Sequence, residues 1–480
     1  MQTKYINTTR QNEVKIVSRL KEINLFENHL TQLRSGYQTA KSVIDFWGIP
    51  GIGKSTLLQE ILIRSLSYNN KTVFVDFKEF LSINKKLLDL EDCEIISAKL
   101  YNEMFKKKMS RDYKAPAMPI RIVGANNVSS KFVGETINYL SLDERHLVVF
   151  LFDSVEYCSP EVFQWLERFV FSPLVSTKKV MIVLASQSRK NWGMFDVRQC
   201  TLEHKIKPFD SELVREQIGY DNNVTKELAS RIFDITFGVP ACNWLVYKSL
   251  EKLRKNKEVL FAFNNFNKKR LVRSEVEYFF GHTVKKLNPE LKFVLKLTSQ
   301  LRWFDYAILR EILVYVNPNK YNNIKASKFR DITRRLEETN FINWDIQNKG
   351  FAMDYTLRKI ISLDLKINNP VTFSQIQHIV IQWFRRLVKE YDSSYLFFLD
   401  LAYYRAFFGD LKLIPAEVNQ AINNIEYSQR KPLDKIMTLE QILRAIDEYE
   451  YKEIIPAEYI ELVQKKSEEV LERLLNIENS

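Results

Sequence analysis

Cysteine, glycine and histidine are scarce in this chain of 480 residues, which has 4, 12 and 5 of them. The cysteines, Cys93, Cys158, Cys200 and Cys242, are far apart. They form neither a disulfide framework nor a metal-binding spacing, and free thiols in a reducing compartment are expected. No apolar run approaches the roughly 18 residues that a membrane span needs. The first residues, MQTKYINTTRQNEVK, have no apolar core of the kind a signal peptide carries. A cytoplasmic protein without a membrane partner is therefore expected. Disorder is excluded by a composition that is 45% hydrophobic and 13% aromatic. The length exceeds what one core holds, so several domains are expected.

The few glycines are unevenly spread. Gly36, Gly48, Gly51 and Gly53 fall close together, and three of them lie within VIDFWGIPGIGKSTLLQ, residues 43–59. Val43, Ile44, Phe46 and Trp47 are apolar and β-prone, which predicts a short buried strand. Gly48, Ile49, Pro50, Gly51, Ile52, Gly53, Lys54 and Ser55 then spell G-x-x-x-x-G-K-S, and Thr56-Leu57-Leu58-Gln59 reads onward as helix. Strand, glycine loop and helix form the context in which this motif binds a nucleotide. The glycines let backbone N–H groups curl inward, and the helix N-terminus adds its positive end. Lys54 is expected on the β- and γ-phosphates and Ser55 on Mg²⁺. ATP or ADP with Mg²⁺ is the expected ligand set.

A second signal lies well downstream. His146-Leu147-Val148-Val149-Phe150-Leu151-Phe152-Asp153 is an apolar run ending in an acid. Such a run predicts a strand buried on both faces of a parallel sheet. An acid at its C-terminal end falls beside the phosphate loop, so Asp153 is the second expected Mg²⁺ residue. Further strands are expected at Thr72–Phe77, Val180–Ala185 and Cys200–Ile206. Arg189 follows the third of these and is a candidate for the γ-phosphate, with an incidental surface arginine as the plainer reading. Loops are expected at Ala115-Pro116 and Gly124-Ala125-Asn126-Asn127.

Helical patterns dominate elsewhere. Leu20, Ile23, Phe26, Leu30 and Leu33 recur at helical spacing before the first strand. From Asp210 to about Lys257 the pattern is helical, interrupted at Thr236-Phe237-Gly238-Val239-Pro240. Residues 291–365 read as three helices and a strand pair, Phe341–Trp344 and Gly350–Met353, around a turn at Gln347-Asn348-Lys349. Helices followed by a hairpin outline a winged helix. Asn368-Asn369-Pro370 marks a boundary, after which the chain is helical and rich in aromatics.

This order resembles the signal-transduction ATPases with numerous domains, the STAND class, relatives of the AAA+ and origin-recognition ATPases. The resemblance covers about residues 15–365. It implies an α/β plus all-α protein: a P-loop NTPase parallel sheet of ASCE type with a helical lid, a winged helix and a C-terminal helical domain. The implied division is an N-terminal segment at 1–40, the NTPase domain at 41–207, the lid at 208–288, the winged helix at 289–366 and the helical domain at 367–480. Val17-Ser18-Arg19-Leu20-Lys21-Glu22 resembles the G-R-x-x-E segment that lies near the adenine in that class, which implies a role for Arg19. Gly238-Val239-Pro240 resembles the class's Gly-x-Pro, whose proline contacts the base or sugar, which implies a role for Pro240.

The chain departs from the class pattern twice. Ser154 follows Asp153 where the class has a second acid, so Glu156 is the nearest candidate base and must be turned inward to act. The wing reads Met353-Asp354-Tyr355, without the histidine that senses the diphosphate in many relatives. A weakly placed base implies slow hydrolysis, which suits a switch coupled to a protein partner or to self-association. Bacterial members of the class often act in anti-phage conflict systems.

The net charge of +12 concentrates in residues 251–360, which carry 23 basic and 12 acidic residues. One reading is a DNA-binding regulator whose helix Lys328–Glu338, with Arg330, Arg334 and Arg335, enters a groove. The other is a clamp that buries Trp303, Phe304, Phe329 and Trp344 against neighbours, with the lysines solvated. The second is favoured, because Glu337 and Glu338 lie on the same helix.

Overall fold

The computed structural model describes residues 19–478 except 38, 82–86, 106–124, 143–146, 220–225, 255–264, 282–286, 346–348 and 391–394. The expected loop at Ala115-Pro116, Gly124, the strand residue His146, the turn residues Gln347-Asn348, and Val17-Ser18 lie outside the described residues. The chain forms two compact units, Met1–Leu287 and Asn288–Ser480.

The first unit is built on five parallel strands in the order β2-β3-β4-β1-β5. They are β1 (Val43–Trp47), β2 (Lys71–Asp76), β3 (Val148–Asp153), β4 (Val180–Ser186) and β5 (Thr201–Lys205). Every residue of β3 and β4 is buried, as continuous apolar runs in a doubly covered sheet should be. On one side Phe150, Phe152, Phe163, Phe171 and Trp192 build an aromatic core, with the Phe152 and Phe171 rings 5.3 Å apart. Helix α1 (Leu20–Arg34) buries Ile23, Phe26, Leu30 and Leu33 of the stripe that its sequence spacing predicts, whereas Leu20, at the helix's first position, is 59% exposed. Helix α2 (Lys54–Ser67) starts at the end of the glycine loop and buries Leu57, Leu58 and Ile61.

Two local expectations are corrected. Phe77 does not extend β2 but opens a short turn, Phe77–Phe80, because the Asp76 carboxylate accepts the Lys78 amide at 2.9 Å and caps it. Ala125, Asn126 and Asn127 are not loop but begin the helix Ala125–Ser141.

After β5 come the helices Ser211–Ile218, Lys226–Thr236, Pro240–Arg254 and Asn265–Gly281. Gly238 sits at the break between the second and third, at φ +76°. A Cβ there would lie 1.9 Å from the Phe209 carbonyl oxygen, so only glycine fits. The turn is held from within by buried amides. Asn243 donates to Gln217 at 2.8 Å, and Gln217 donates to the Pro240 carbonyl at 2.9 Å.

The second unit begins with the helices Pro289–Thr298, Tyr306–Val316 and Ala326–Glu337. An antiparallel pair follows, β6 (Ile342–Asp345) and β7 (Gly350–Met353), with Trp344 opposite Phe351. Trp303, Phe304 and Phe329 are buried there, but Trp344 is 50% exposed and does not join them. It lies at the solvent face of a two-stranded ribbon, with its ring edge on Phe351. Asn369 separates two helices, Tyr355–Asn368 and Pro370–Glu390, that belong to the same compact unit. Buried polar groups join the early and late parts of that unit. Asp400 accepts from Arg302 at 3.1 Å, from the Trp303 indole at 2.6 Å and from the Tyr451 hydroxyl at 3.1 Å. Arg358 reaches Glu450 at 2.6 Å.

Candidate nucleotide-binding site

The site sits at the carboxyl ends of the strands. β1 delivers the loop Gly48–Gly53, whose turn needs left-handed backbone at Gly51 (φ +76°) and Gly53 (φ +99°). The Gly48 amide donates to the Ser186 carbonyl at 3.2 Å, which ties the loop's start to the end of β4. Lys54 is 8% exposed and donates to the Gly48 carbonyl at 2.7 Å and the Ile49 carbonyl at 3.1 Å. Burial lowers its pKa, opposed by the nearby charges of Glu156 and Asp153. Ser55 and Thr56 follow, exposed, in the first turn of α2, where helix amides have no intrahelical partner.

Asp153 ends β3 and is 4% exposed. It hydrogen-bonds the Ser55 hydroxyl and accepts the Ser154 amide at 2.8 Å. Burial, with Asp76 and Glu156 nearby, raises its pKa to about 6. Ser154 is left-handed at φ +59°, and the turn Val155–Tyr157 that follows swings Glu156 toward Lys54. The Glu156 Oε2 is buried and has no hydrogen-bond partner.

Arg19 reaches the loop from the N-terminal end of α1. It donates to the Ile52 carbonyl at 2.5 Å and the Lys207 carbonyl at 3.0 Å, and it lies 4.6 Å from the Phe209 ring centroid. Burial lowers its pKa to about 10, opposed by Glu22. Pro240 begins the helix whose next residue, Ala241, donates to the Gly51 carbonyl at 3.1 Å. Pro240 and Arg19 thus flank the loop, while Lys54, Ser55, Asp153 and Glu156 gather beneath it.

Arg189 is not drawn into that group. Its guanidinium is 64% exposed and pairs with Glu203 at 2.6 Å. The neighbouring Lys190 turns inward, its ammonium 3.4 Å from the Val155 carbonyl and its amide 3.3 Å from Asp45. Sequence reasoning also missed Asp76, which ends β2 directly opposite Asp153 in the register. An acid closing a strand was its visible signal.

Ser55 and Asp153 fit Mg²⁺, which usually takes one or two protein oxygens and completes its shell with phosphate and water. The hydroxyl and carboxylate already touch, and the buried, unpartnered Glu156 oxygen adds negative charge nearby. Among the described residues no cluster of three His, Cys, Asp or Glu side chains offers a different metal site. Bound there, Mg²⁺ would neutralise phosphate charge. Lys54 and the loop amides would hold the phosphates, and Glu156 would orient or deprotonate water.

A parallel sheet with β4 inserted between β1 and β3, a G-x-x-x-x-G-K-S loop after β1 and a buried acid at the end of β3 is a P-loop NTPase fold of the ASCE type. No protein-family model matches the chain, and no curated protein matches it. Solved structures do. A Walker-type ATPase of Pyrococcus abyssi is 15% identical, with 72% of this chain and 96% of that one covered and a TM-score of 0.45. Cdc6p from Pyrobaculum aerophilum is 11% identical, with 74% and 96% covered and a TM-score of 0.39. A STAND protein with a tetratricopeptide repeat sensor from Pyrococcus horikoshii is 15% identical, with 96% and 65% covered and a TM-score of 0.31.

Proposed function

We propose that this chain is an ATP-binding switch that hydrolyses ATP slowly with Mg²⁺ and passes its nucleotide state to a partner. The observation that carries the reading is the contact between loop and lid. Ala241, next to Pro240, bonds the Gly51 carbonyl, while Lys54, Ser55 and Asp153 meet below the same loop. A phosphate bound by the loop amides must therefore act on the lid as well. The offset of Glu156 from Asp153 supports slow turnover. STAND membership, the winged-helix role of residues 289–366, the five-segment division, a protein partner or self-association, and a setting in bacterial defence all belong to this proposal.

The test is calorimetric titration of ATP with Mg²⁺ into wild type and Lys54→Ala. Loss of the ammonium leaves phosphate charge unneutralised in a dry loop, at a cost of about 2–5 kcal/mol. Unchanged affinity in Lys54→Ala would remove the assignment.

The alternative, an ATP-regulated DNA-binding protein, draws on the cations of the helix Ala326–Glu337. Several of these cations face their own neighbours. Arg334 pairs with Asp331 at 2.9 Å, Lys328 lies 3.8 Å from the same acid, and Arg330 stacks over Tyr306. The clamp is the reading we retain. Tight, salt-sensitive binding of duplex DNA, weakened by Arg334→Ala with Arg335→Ala, would replace it with the regulator.

A further inference from the structure

The first unit carries a second concave surface at the opposite end of its sheet. The groove is about 800 Å³ and lies at the amino ends of the strands, whereas the glycine loop lies at their carboxyl ends. Four cations line it: Arg34 at the end of α1, Lys71 at the start of β2, and Lys178 and Lys179 just before β4. No Asp or Glu lines it among the described residues. None of the four cations forms an ion pair with a described carboxylate, although ion pairs are frequent elsewhere in the molecule.

The groove is built rather than incidental. Asn70 is 7% exposed, and its Oδ1 accepts one nitrogen of Arg34 at 2.7 Å. The Tyr68 carbonyl accepts the same nitrogen at 2.8 Å, and the Tyr68 ring lies 5.6 Å from the guanidinium carbon. Asn70 is itself held by a bond to the Ser65 carbonyl at 3.2 Å. One edge of the guanidinium is therefore fixed, and its other nitrogens remain for a ligand. Lys179 is positioned by the Leu140 carbonyl at 3.0 Å. Lys178 holds a left-handed backbone, φ +56°, where a residue with a Cβ is disfavoured.

We propose that this groove binds a phosphorylated small molecule of nucleotide size, at a site separate from the glycine loop. Cations gathered without counter-charges among the described residues match several phosphate oxygens, and arginine's planar fork suits them best. The volume falls in the range of small-molecule pockets. Tyr68 and Tyr139, also in the lining, offer aromatic surface beside the cations. An acidic peptide would satisfy the charge but would not match phosphate oxygens to the planar guanidinium fork.

The test is calorimetry on the full chain carrying Lys54→Ala, which disables the glycine loop. The probes are inorganic triphosphate, ATP and a decapeptide of glutamate. Triphosphate and ATP should each bind saturably and weaken severalfold as salt is raised. Tighter binding of ATP than of triphosphate would show that the tyrosines take a base, and equal binding that the phosphates suffice. Either result supports the groove, provided that the groove variants abolish it. Those variants are Arg34→Gln with Lys71→Gln and, separately, Lys178→Asn, which removes the charge while suiting the left-handed turn. Each should lower affinity at least tenfold. No saturable binding, binding unmoved by both variants, or preference for the peptide would overturn the proposal. Failure here leaves the Lys54 test of the loop unaffected, so the two assignments stand or fall separately.

Discussion

The Ala241 amide donates to the Gly51 carbonyl at 3.1 Å, so the first turn of a lid helix is bonded to the middle of the phosphate loop. A Cβ on Gly51 would lie 2.8 Å from the Ala241 Cβ and 3.0 Å from the Tyr278 hydroxyl. The glycine thus has two duties. It adopts φ +76°, and it leaves room for the lid.

Gly51→Ala should therefore weaken ATP binding about tenfold, or about 1.4 kcal/mol, through backbone strain and displacement of the lid. Gly134→Ala is the control. Gly134 lies inside the helix Ala125–Ser141 with nothing within 4 Å of its added Cβ. That change should stabilise the protein by roughly 0.5–1 kcal/mol and leave ATP affinity alone. Calorimetry and thermal melts on both variants check the pair.

Asp45 gives a pH-dependent prediction. It is fully buried on β1, and burial raises its pKa from 3.8 to about 6, only partly opposed by the Lys190 amide and ammonium. Between those two values the folded chain holds a proton that the unfolded chain has lost. Stability therefore falls as pH rises through this window, by up to about 3 kcal/mol. Asp45→Asn should remove that fall. It should melt higher than wild type above pH 6 and at the same temperature below pH 4. Melting curves across that range decide it, and a parallel shift at all pH values would contradict the linkage.

Much of this site was legible because its chemistry is written in short, ordered strings. Gly48 to Ser55 needs particular residue types at fixed spacing, and Val148–Asp153 needs an unbroken apolar run in a doubly covered strand. What stayed hidden depends on geometry beyond the strings. Glu156 turns inward because Ser154 takes a left-handed conformation that serine rarely adopts, so nothing in the spelling announces it. Arg189 and Lys190 are adjacent cations beyond the end of β4, where strand alternation no longer applies. Which of them faces the Glu156 turn was unreadable. Trp344 was expected inside by its size, but a two-stranded ribbon leaves one face open. Arg302 and Asp400 are 98 residues apart, and no period links them.

That buried pair supports the next prediction. Removing Asp400 takes the acceptor from the Trp303 indole and the Tyr451 hydroxyl and the most deeply buried counter-charge from Arg302, which keeps Glu448 and Glu450. Breaking one side of a buried ion pair costs about 3–5 kcal/mol. Asp400→Ala should lose that much in denaturant titrations of the full chain. Asp400→Asn keeps an acceptor for the indole and should lose less. Equal stability for Asp400→Ala and wild type would mean that the network does not join the two parts of this unit.

The two acids at the end of β3 should fail differently. Asp153 touches Ser55 and is 4% exposed, so Asp153→Asn removes charge at the position proposed for Mg²⁺. Mg²⁺-dependent turnover should fall by at least 10²-fold, as when charge stabilisation of a transition state is withdrawn. Because burial raises the pKa of the metal-free Asp153 carboxyl to about 6, Mg²⁺ must displace a proton there below that pH, and Mg²⁺ affinity should weaken as pH falls through it. Glu156 stands one turn further on, with a buried oxygen that bonds nothing and a charge directed at Lys54. Glu156→Gln keeps its shape and removes a negative charge from beside the phosphates. ATP should bind at least as tightly, while turnover drops, by less than in Asp153→Asn if water is only oriented there. Single-turnover hydrolysis at pH 5 to 8 on the three proteins separates the roles. Wild-type turnover in Glu156→Gln would end its candidacy as the base. A larger loss there than in Asp153→Asn would make Glu156 the residue on which hydrolysis chiefly depends.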